Sequence, residues 1–422
     1  MADDAKSGVG ILACLRGFGS EDRLPSLRLP LFSLTALFLA GCMTSPTTRQ
    51  VGRPTGDPVV DDQSRLAAAP AKDKVLWEYK LAAAAVRRGQ FNEARMQLDA
   101  ARRTTDGILD ATGPDTAAAS SRGLFHPEAD KPFVGEPYER IMADFYRGLI
   151  YWRDGEPDNA RALFRSGSFL AGGSADKPSQ GGWVLLDYLD GFVTARLHGD
   201  GGDALARARA RSAHPLPDYD LGANTMIFAE YGPGPIKYAT GQYRQQLKIY
   251  LSEPVTTADA RIVVEGRTID LMPWDDVGMQ ATMRAGRVMD QILGNKAEFK
   301  QVTDLVGDAA LAGAAGTAAL GRGRRTGEAA ALALAGVTSK LVSAATQPAA
   351  DIRAWDNLPR YLSFAALRLS PGTHAATLTF YDLYGHARPD VQTFTITVPE
   401  STAAPGAPSS RDTIVFCSEL TE

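Results

Sequence analysis

Carboxylates in two motifs are the residues of this 422-residue chain whose types and spacing could do acid–base chemistry. Glu136 and Glu139 flank Pro137 in the run GEPYER, and Asp351 lies far along the chain. A hydrolase would need a pocket that brings these carboxylates together with His126. Pro137 in a first helical turn, with acidic residues at the positive helix end, explains the Glu pair structurally. Enzymatic activity is therefore an alternative, and a non-catalytic binding role is the leading hypothesis.

The same two motifs could also form a binding surface. Candidate partner-binding residues are the charged and aromatic side chains of these motifs and one nearby lysine, namely Glu136, Tyr138, Glu139, Arg140, Lys237, Asp351, Arg353 and Trp355. An Asp–Arg pair beside a Trp can equally be a structural clasp. Lys237 follows a Gly-Pro-Gly-Pro run, whose prolines lack the N–H donors of a phosphate loop, so a turn that presents Lys237 is the simpler interpretation.

The histidines and cysteines indicate neither a metal site nor a cofactor. The five histidines occur in no HExxH motif and at no ligand spacing with a cysteine. No G-x-S-x-G elbow is present. The formal net charge of −4 argues against nucleic-acid binding, and 44% hydrophobic with 22% charged residues is typical of a globular protein. The length predicts two or three domains.

An apolar run over 29–40 follows Arg28 and ends at Leu39, Ala40, Gly41 and Cys42. The run is too short to span a bilayer and is typical of a signal peptide. Its end resembles the lipobox of bacterial lipoproteins. That resemblance implies transfer of diacylglycerol to the Cys42 sulfur, cleavage before Cys42 and acylation (palmitate) of the new amine, whereas an ordinary signal peptide or a short core helix is the alternative. Met43 after the cysteine favours the outer membrane, with the body facing the periplasm.

These processing steps predict the state of each of the three cysteines and the first residue of the mature chain. Cys14 is removed with residues 1–41, Cys42 carries lipid, and Cys417 is the remaining thiol, without a neighbouring base that would make it catalytic. Residues 42–71 are rich in Pro, Gly, Thr and Asp and are predicted to form a flexible tether. Residues 401–422 are predicted to be a flexible tail.

Residues 72–216 repeat a pattern of small residues, a turn glycine and a second helix. The sequences AAVRRGQFNEAR and IYWRDGEPDNAR show it, with Ala94 and Ala160 at equivalent positions and a weaker third unit at Ala204. Gly148 and Phe164 also fit the tetratricopeptide pattern. Such helix pairs must stack to bury their apolar faces, and the stack usually binds a peptide in its concave face. Packing against the rest of the chain is the alternative.

Residues 222–400 predict a β domain. Short β-rich runs occupy 225–231, 243–251, 260–265, 361–369, 373–384 and 391–398, and they suggest an antiparallel β-sandwich. A helical insertion over about 275–346 divides them, with Asp275 and Asp276 as expected caps of its first helix. Its Gly/Ala-rich part, 305–346, predicts a packed hairpin; a membrane-touching or oligomerising glycine zipper and a partly disordered segment are the alternatives.

Several of these motifs resemble a family of uncharacterised bacterial lipoproteins with tetratricopeptide-like N-terminal halves. The resemblance rests on GEPYER, on the pattern of Tyr146, Gly148, Leu149 and Tyr151, and on the segments around Lys237 and 351–359, and it spans about 72–400. It implies no biochemical activity.

The expected protein is therefore an α+β multidomain lipoprotein: TPR-like helical repeats followed by an antiparallel β-sandwich-like domain with a helical, Gly/Ala-rich insertion. Its expected function is that of a non-catalytic scaffold for envelope proteins, held to the outer membrane by lipid. A hydrolase or binding protein of the cell wall and a membrane-active or self-associating assembly through 305–346 are the alternatives.

Overall fold

The computed structural model describes residues 53–111, 128–172, 182–251, 255–282, 349–400 and 412–420. The predicted signal peptide, Cys42 with its lipobox, His126 and the hairpin 305–346 lie outside these residues. The chain is of mixed α+β class, with helices in the N-terminal half and sheets in the C-terminal half. None of the helices in the described ranges is both long and apolar enough to cross a bilayer.

Seven helices occupy the described N-terminal half. They are α1 (Pro58–Ala68), α2 (Lys74–Arg87), α3 (Phe91–Ala111), α4 (Pro137–Arg153), α5 (Pro157–Gly172), α6 (Val184–Arg196) and α7 (Gly202–Arg211). Helices α2–α3, α4–α5 and α6–α7 form three pairs joined by short turns. Gly89 and Gly155 adopt positive φ angles of 69° and 85° in the first two turns, a conformation that glycine adopts without strain.

Small residues lie where the paired helices cross, as the repeat pattern indicated. A Cβ atom on Gly148 would lie 2.5 Å from the Phe164 ring, and one on Gly191 would lie 2.8 Å from the Ala204 Cβ. Ala94 and Ala160 are fully buried at the equivalent positions of the first two pairs. The helices can approach closely only because these side chains are small.

The prediction of a flexible tether over 42–71 is wrong for its second half, which forms α1. The Asp57 carboxylate caps this helix by accepting a hydrogen bond from the Val59 amide at 2.9 Å. Val59 then packs on Leu81 and Ala84 of α2, so burial of this apolar face stabilises the helix.

Ten strands and one short helix occupy the described part of the C-terminal half. They are β1 (Thr225–Pro233), β2 (Ile236–Thr240), β3 (Gln246–Tyr250), β4 (Asp259–Val264), β5 (Arg267–Leu271), β6 (Asp275–Asp276), α8 (Val277–Thr282), β7 (Pro359–Leu367), β8 (Gly372–Tyr381), β9 (Gln392–Val398) and β10 (Thr413–Ser418). Sheet 1 has the order β10-β1-β7-β6, sheet 2 has the order β5-β4-β8-β9, and β2 and β3 form a separate ribbon.

Both faces of sheet 1 are covered. A row of paired residues, Phe416, Phe228 and Phe364, faces the helices and joins their apolar core. The alternate residues, such as Ile227 and Cys417, pack with sheet 2 in a second core. Burial on two faces explains why β1 reads as a nearly continuous apolar run. The predicted boundary between helical and β domains therefore runs through one shared core.

The predicted flexible tail over 401–422 contains a strand, and this correction also changes the sheet. Thr413–Ser418 form β10, which pairs in parallel with β1, so sheet 1 is mixed rather than purely antiparallel. Asp412 fixes its start, because its carboxylate accepts hydrogen bonds from Trp152 Nε1 at 2.8 Å and Arg196 Nη2 at 2.7 Å. The hydrogen bonds of Asp412, the pairing of β10 with β1 and the burial of apolar side chains of β10 stabilise this segment.

Candidate functional site

The structure brings most of the residues singled out in the sequence together at the junction of helices and sheets. Glu139 lies in the first turn of α4, Lys237 lies in β2, and Arg353 and Trp355 belong to the segment before β7. Three distant parts of the chain therefore meet, but they meet inside the protein. The prediction that Lys237 is presented on a turn is wrong, because β2 places its side chain in the interior with 2% exposure.

Glu139 is the centre of this cluster. One carboxylate oxygen, Oε2, accepts hydrogen bonds from Lys237 Nζ at 2.7 Å and from the Glu136 amide at 2.5 Å. The other, Oε1, accepts a hydrogen bond from the Trp355 amide at 2.8 Å. The Glu139 side chain is fully buried, so these donors replace the water that its charge has lost. Glu139 thus connects α4, β2 and the segment that leads to β7.

Arg353 makes the second set of contacts. Its guanidinium is paired with Asp351 at 2.6 Å and with Asp73 at 2.6 Å. It also donates a hydrogen bond to the Lys131 carbonyl at 2.8 Å, while its own carbonyl accepts one from Lys237 Nζ at 3.0 Å. These carboxylates raise the pKa of Arg353, although burial alone would lower it. Arg353, paired with Asp351 beside it, thus holds the segment before β7 to Asp73 and Lys131, which is the structural alternative in the sequence interpretation.

The aromatic candidates are also internal. Trp355 is fully buried and stacks on Tyr79 of α2, with ring centroids 4.6 Å apart. Tyr138 is 3% exposed, and its ring lies 5.8 Å from the Lys237 ammonium. Arg140 is half-buried and lines a cavity described below. Partner contact through Tyr138 or Trp355 would first require these layers to separate.

A second buried polar network was missed by sequence reasoning. Glu230 of β1 is fully buried and accepts hydrogen bonds from Arg87 Nε at 2.5 Å, from the Tyr146 hydroxyl at 2.5 Å and from the Ser418 hydroxyl at 2.6 Å. Burial and the Glu230 carboxylate raise the pKa of Tyr146. The network fixes β1 to α2, α4 and β10. A charged residue inside the apolar run TMIFAEY is the signal that could have revealed it.

An open cavity lies among α5, α6 and α7. Its volume is about 560 Å³, and its lining includes one face of α6, where Asp187, Asp190, Gly191 and Thr194 recur at helical spacing. Asp187 is held by Arg207 Nε at 3.5 Å and by Arg211. Burial raises the pKa of Asp187 despite these two cations. We call this cavity the first cleft.

An ion pair recurs at equivalent positions between successive helix pairs. Asp99 of α3 is paired in bidentate fashion with Arg147 of α4, at 2.7 and 3.2 Å. Arg165 of α5 is likewise paired with Asp190 of α6, at 3.2 and 3.0 Å. The charges are exchanged, because the second helix supplies the aspartate of one pair (Asp99) and the arginine of the other (Arg165). The partner on the first helix, Arg147 or Asp190, lies one residue before the crossing glycine of that helix. The shared pattern, D-x-x-[R/D]-G over 144–148 and 187–191, could have revealed this face from the sequence.

Phe169 of α5 projects beside the first cleft. Its side chain is 81% exposed, and it also lines a second cavity of about 490 Å³. We call that cavity the second cleft; its lining includes Tyr79, Arg102, Arg140 and Asp144. Burial raises the pKa of Asp144 to about 6. The two clefts thus share Phe169 at their rim. Each also contains an aspartate from the equivalent position in the first helix of a pair, Asp187 in the first cleft and Asp144 in the second.

The two aspartates expected to cap α8 have separate roles. Asp276 accepts a hydrogen bond from the Met279 amide at 2.8 Å, as predicted. Asp275 instead caps α6, accepting hydrogen bonds from the Val184 amide at 2.9 Å and the Leu185 amide at 2.8 Å. Burial raises the pKa of Asp275 to about 7, because the site excludes water and lies near other carboxylates.

Two further observations bear on the chemistry. Cys417 is buried in the core between the sheets, and burial raises the pKa of its thiol to about 12, which disfavours the nucleophilic thiolate. Within the described ranges, no group of three or more His, Cys, Asp or Glu side chains is arranged to hold a metal ion.

Searches of protein-family models, curated proteins and solved structures find no match to this chain.

Proposed function

We propose that this chain is a lipid-anchored, non-catalytic binding protein of the bacterial envelope, which binds its partner in the two clefts beside Phe169. The anchor would be Cys42, because Leu39, Ala40 and Gly41 precede it in a lipobox-like run after a short apolar segment. Two or three acyl chains, at about 0.8 kcal/mol per buried CH₂, would hold such a body at a membrane nearly permanently. The proposed location is the periplasmic side of the outer membrane.

The main support for this binding site is that sheet 1 covers another face of the helical layer. Stacked helix pairs usually bind partners on a concave face. In this chain the first helices of the pairs pack on sheet 1, as Phe145 on Phe228 at 6.1 Å and Tyr188 on Phe364 at 5.9 Å show. The sheet-facing side of these first helices is thus occupied by the chain itself, whereas the clefts between the pairs are open.

The recurring crossings and ion pairs support tetratricopeptide-like repeats as the description of the helical layer. The second core, which alternate strand residues of both four-stranded sheets build, supports a sandwich-like arrangement of the β layers. We propose both as finer descriptions of the α+β fold.

The state of the candidate carboxylates supports a role without catalysis. Glu139 is buried and held by three donors, and Asp351 is paired with Arg353. An acid–base pair needs a carboxylate that reaches a substrate and can change its protonation state. Glu139 and Asp351 line neither of the two clefts.

Site-specific photo-cross-linking in intact cells tests the binding surface. A photoreactive residue in place of Phe169 is expected to give a discrete adduct. The matched control is Tyr384, an aromatic residue of the β8–β9 connection that is 83% exposed. Equal labelling at both positions, or none at Phe169, would refute the cleft as the binding surface.

A further inference from the structure

We propose that the clefts beside Phe169 bind a neutral, hydroxyl-rich oligosaccharide. This inference rests on the proposed function, because it names the chemical class of the partner for the same surface. Three features support it: the balance of charge in the first cleft, the exposed aromatic ring at its rim, and the second cleft, which the same ring also lines.

The first cleft offers hydrogen-bond donors and acceptors in nearly equal number. Its charged lining consists of three arginines, Arg165, Arg207 and Arg211, and four aspartates, Asp187, Asp190, Asp200 and Asp203. Guanidinium groups only donate hydrogen bonds and ionised carboxylates only accept them. A hydroxyl group does both, so it can bridge a guanidinium and its carboxylate without breaking the ion pair.

The same lining disfavours other ligands. An anion such as a phosphate would meet more carboxylates than guanidinium groups. A metal ion would need a group of ligands that the described part of the chain does not assemble. An apolar ligand would have to desolvate exposed charges such as Arg165 and Asp203 without replacing the hydrogen bonds that water makes to them. A neutral polar ligand avoids all three penalties.

Phe169 supplies what such a ligand needs besides hydrogen bonds. A pyranose ring has an apolar face of C–H groups, which packs on an aromatic ring. Phe169 leaves 81% of its side chain exposed, although full burial of such a residue would stabilise the fold by about 1.5–3 kcal/mol. A ring kept in water at the rim of a polar cleft is a stacking platform rather than part of the core.

The second cleft indicates that the ligand is an oligomer. It shares Phe169 and again combines guanidinium groups, from Arg102 and Arg140, with carboxylates, from Asp106 and Asp144. Its volume of about 490 Å³ is similar to the 560 Å³ of the first cleft, and both fall in the range of small-molecule sites, about 300–1,000 Å³. A chain of sugars that crosses Phe169 would place units in both clefts.

Titration of the full-length chain, with Cys42→Ser to prevent lipidation, tests the inference. The probe is the β-1,4-linked pentamer of N-acetylglucosamine, and calorimetry and tryptophan fluorescence measure its binding. We expect saturable binding that Phe169→Ala weakens about tenfold, as loss of an aromatic contact predicts. Arg165→Gln should weaken it as well, because Arg165 faces the cleft and its side chain is 61% exposed. The control Tyr384→Ala should leave the affinity unchanged.

Three outcomes would overturn the inference. The pentamer could fail to bind at millimolar concentration, it could bind Phe169→Ala as tightly as the parent protein, or spermine could bind in its place, which would make the acidic excess of the cleft the recognised feature. A protein adduct at Phe169 in cells, together with no binding of the pentamer, refutes the saccharide while the proposed function stands. Absence of any adduct at Phe169 refutes the proposed function itself.

Discussion

Replacement of Lys237 by methionine tests the buried cluster that joins helices and sheets. The substitution keeps an unbranched apolar side chain but removes the ammonium, which lies 5.5 Å from the Phe133 ring and 5.8 Å from the Tyr138 ring. This cation donates hydrogen bonds to Glu139 Oε2 at 2.7 Å and to the Arg353 carbonyl at 3.0 Å. The side chains of Lys237 and Glu139 are 2% and 0% exposed, so water cannot replace the lost partner. Breaking a buried ion pair in this way costs about 3–5 kcal/mol of unfolding free energy.

Glu139→Gln separates the charge from the contacts. Alone, it leaves the Lys237 ammonium without its counter-charge and should cost a similar amount. Combined with Lys237→Met, it removes both charges, and glutamine can still accept a hydrogen bond from the Trp355 amide. The double variant should therefore be about 1–3 kcal/mol more stable than the sum of the two single losses predicts.

Urea unfolding followed by tryptophan fluorescence measures these values, with Trp355 stacked on Tyr79 beside the pair. The matched control is Lys80→Met, because Lys80 is paired at 2.8 Å with Asp356, whose side chain is 58% exposed. That pair should contribute less than about 1 kcal/mol. Equal losses for Lys237→Met and Lys80→Met, or strict additivity of the Lys237 and Glu139 variants, would refute this description of the cluster.

Three further predictions concern the crossings, the cap of α6 and the core thiol. Gly148→Ala should lower the free energy of unfolding by about 1–3 kcal/mol, since the new Cβ would lie 2.5 Å from the buried Phe164 ring. The control Gly107→Ala, at an exposed helical position, should raise it by about 0.5–1 kcal/mol. Denaturation midpoints measure both changes, and equal effects would contradict the packing at Gly148. Burial raises the pKa of Asp275 from 3.8 to about 7, so the folded protein keeps a proton that the unfolded chain releases, and stability falls, on the order of 4 kcal/mol, as pH rises through this window. Asp275→Asn should remove that part of the pH dependence, and an unchanged profile in urea unfolding would exclude the assignment. In a variant with Cys14→Ser and Cys42→Ser, the buried Cys417 should react with a disulfide reagent only on unfolding, and rapid reaction of the native protein would contradict its place in the core.

The sequence could predict elements whose signal is local. Phe394, Ile396 and Val398 alternate with threonines, and β9 forms there. Small residues at Gly148 and Ala160 predicted close helix crossings. Strand β10 was missed because its partner, β1, lies far away in the chain and a Pro/Ser/Ala-rich stretch precedes it. The run TIVFCS has the composition of a strand, but composition alone does not identify a parallel partner.

The candidate site likewise combines features that the sequence could predict with features that depend on contacts between distant segments. Glu139, Lys237 and Arg353 stand out in the sequence by residue type, but charged side chains are mostly exposed, so their burial could not be read from the sequence. Their burial follows from contacts between three distant segments. Conversely, Asp190 and Phe169 were not singled out, because a helical Asp and a lone Phe are ordinary residues until packing places them at an open cleft.

The attachment at Cys42 is the claim that places this binding surface in the envelope, and one measurement tests it most directly. Cells grown with labelled palmitate should yield a labelled protein whose mature N-terminus is a lipid-modified Cys42, and Cys42→Ser should abolish the label. An unlabelled mature protein with a free thiol at Cys42 would contradict the account.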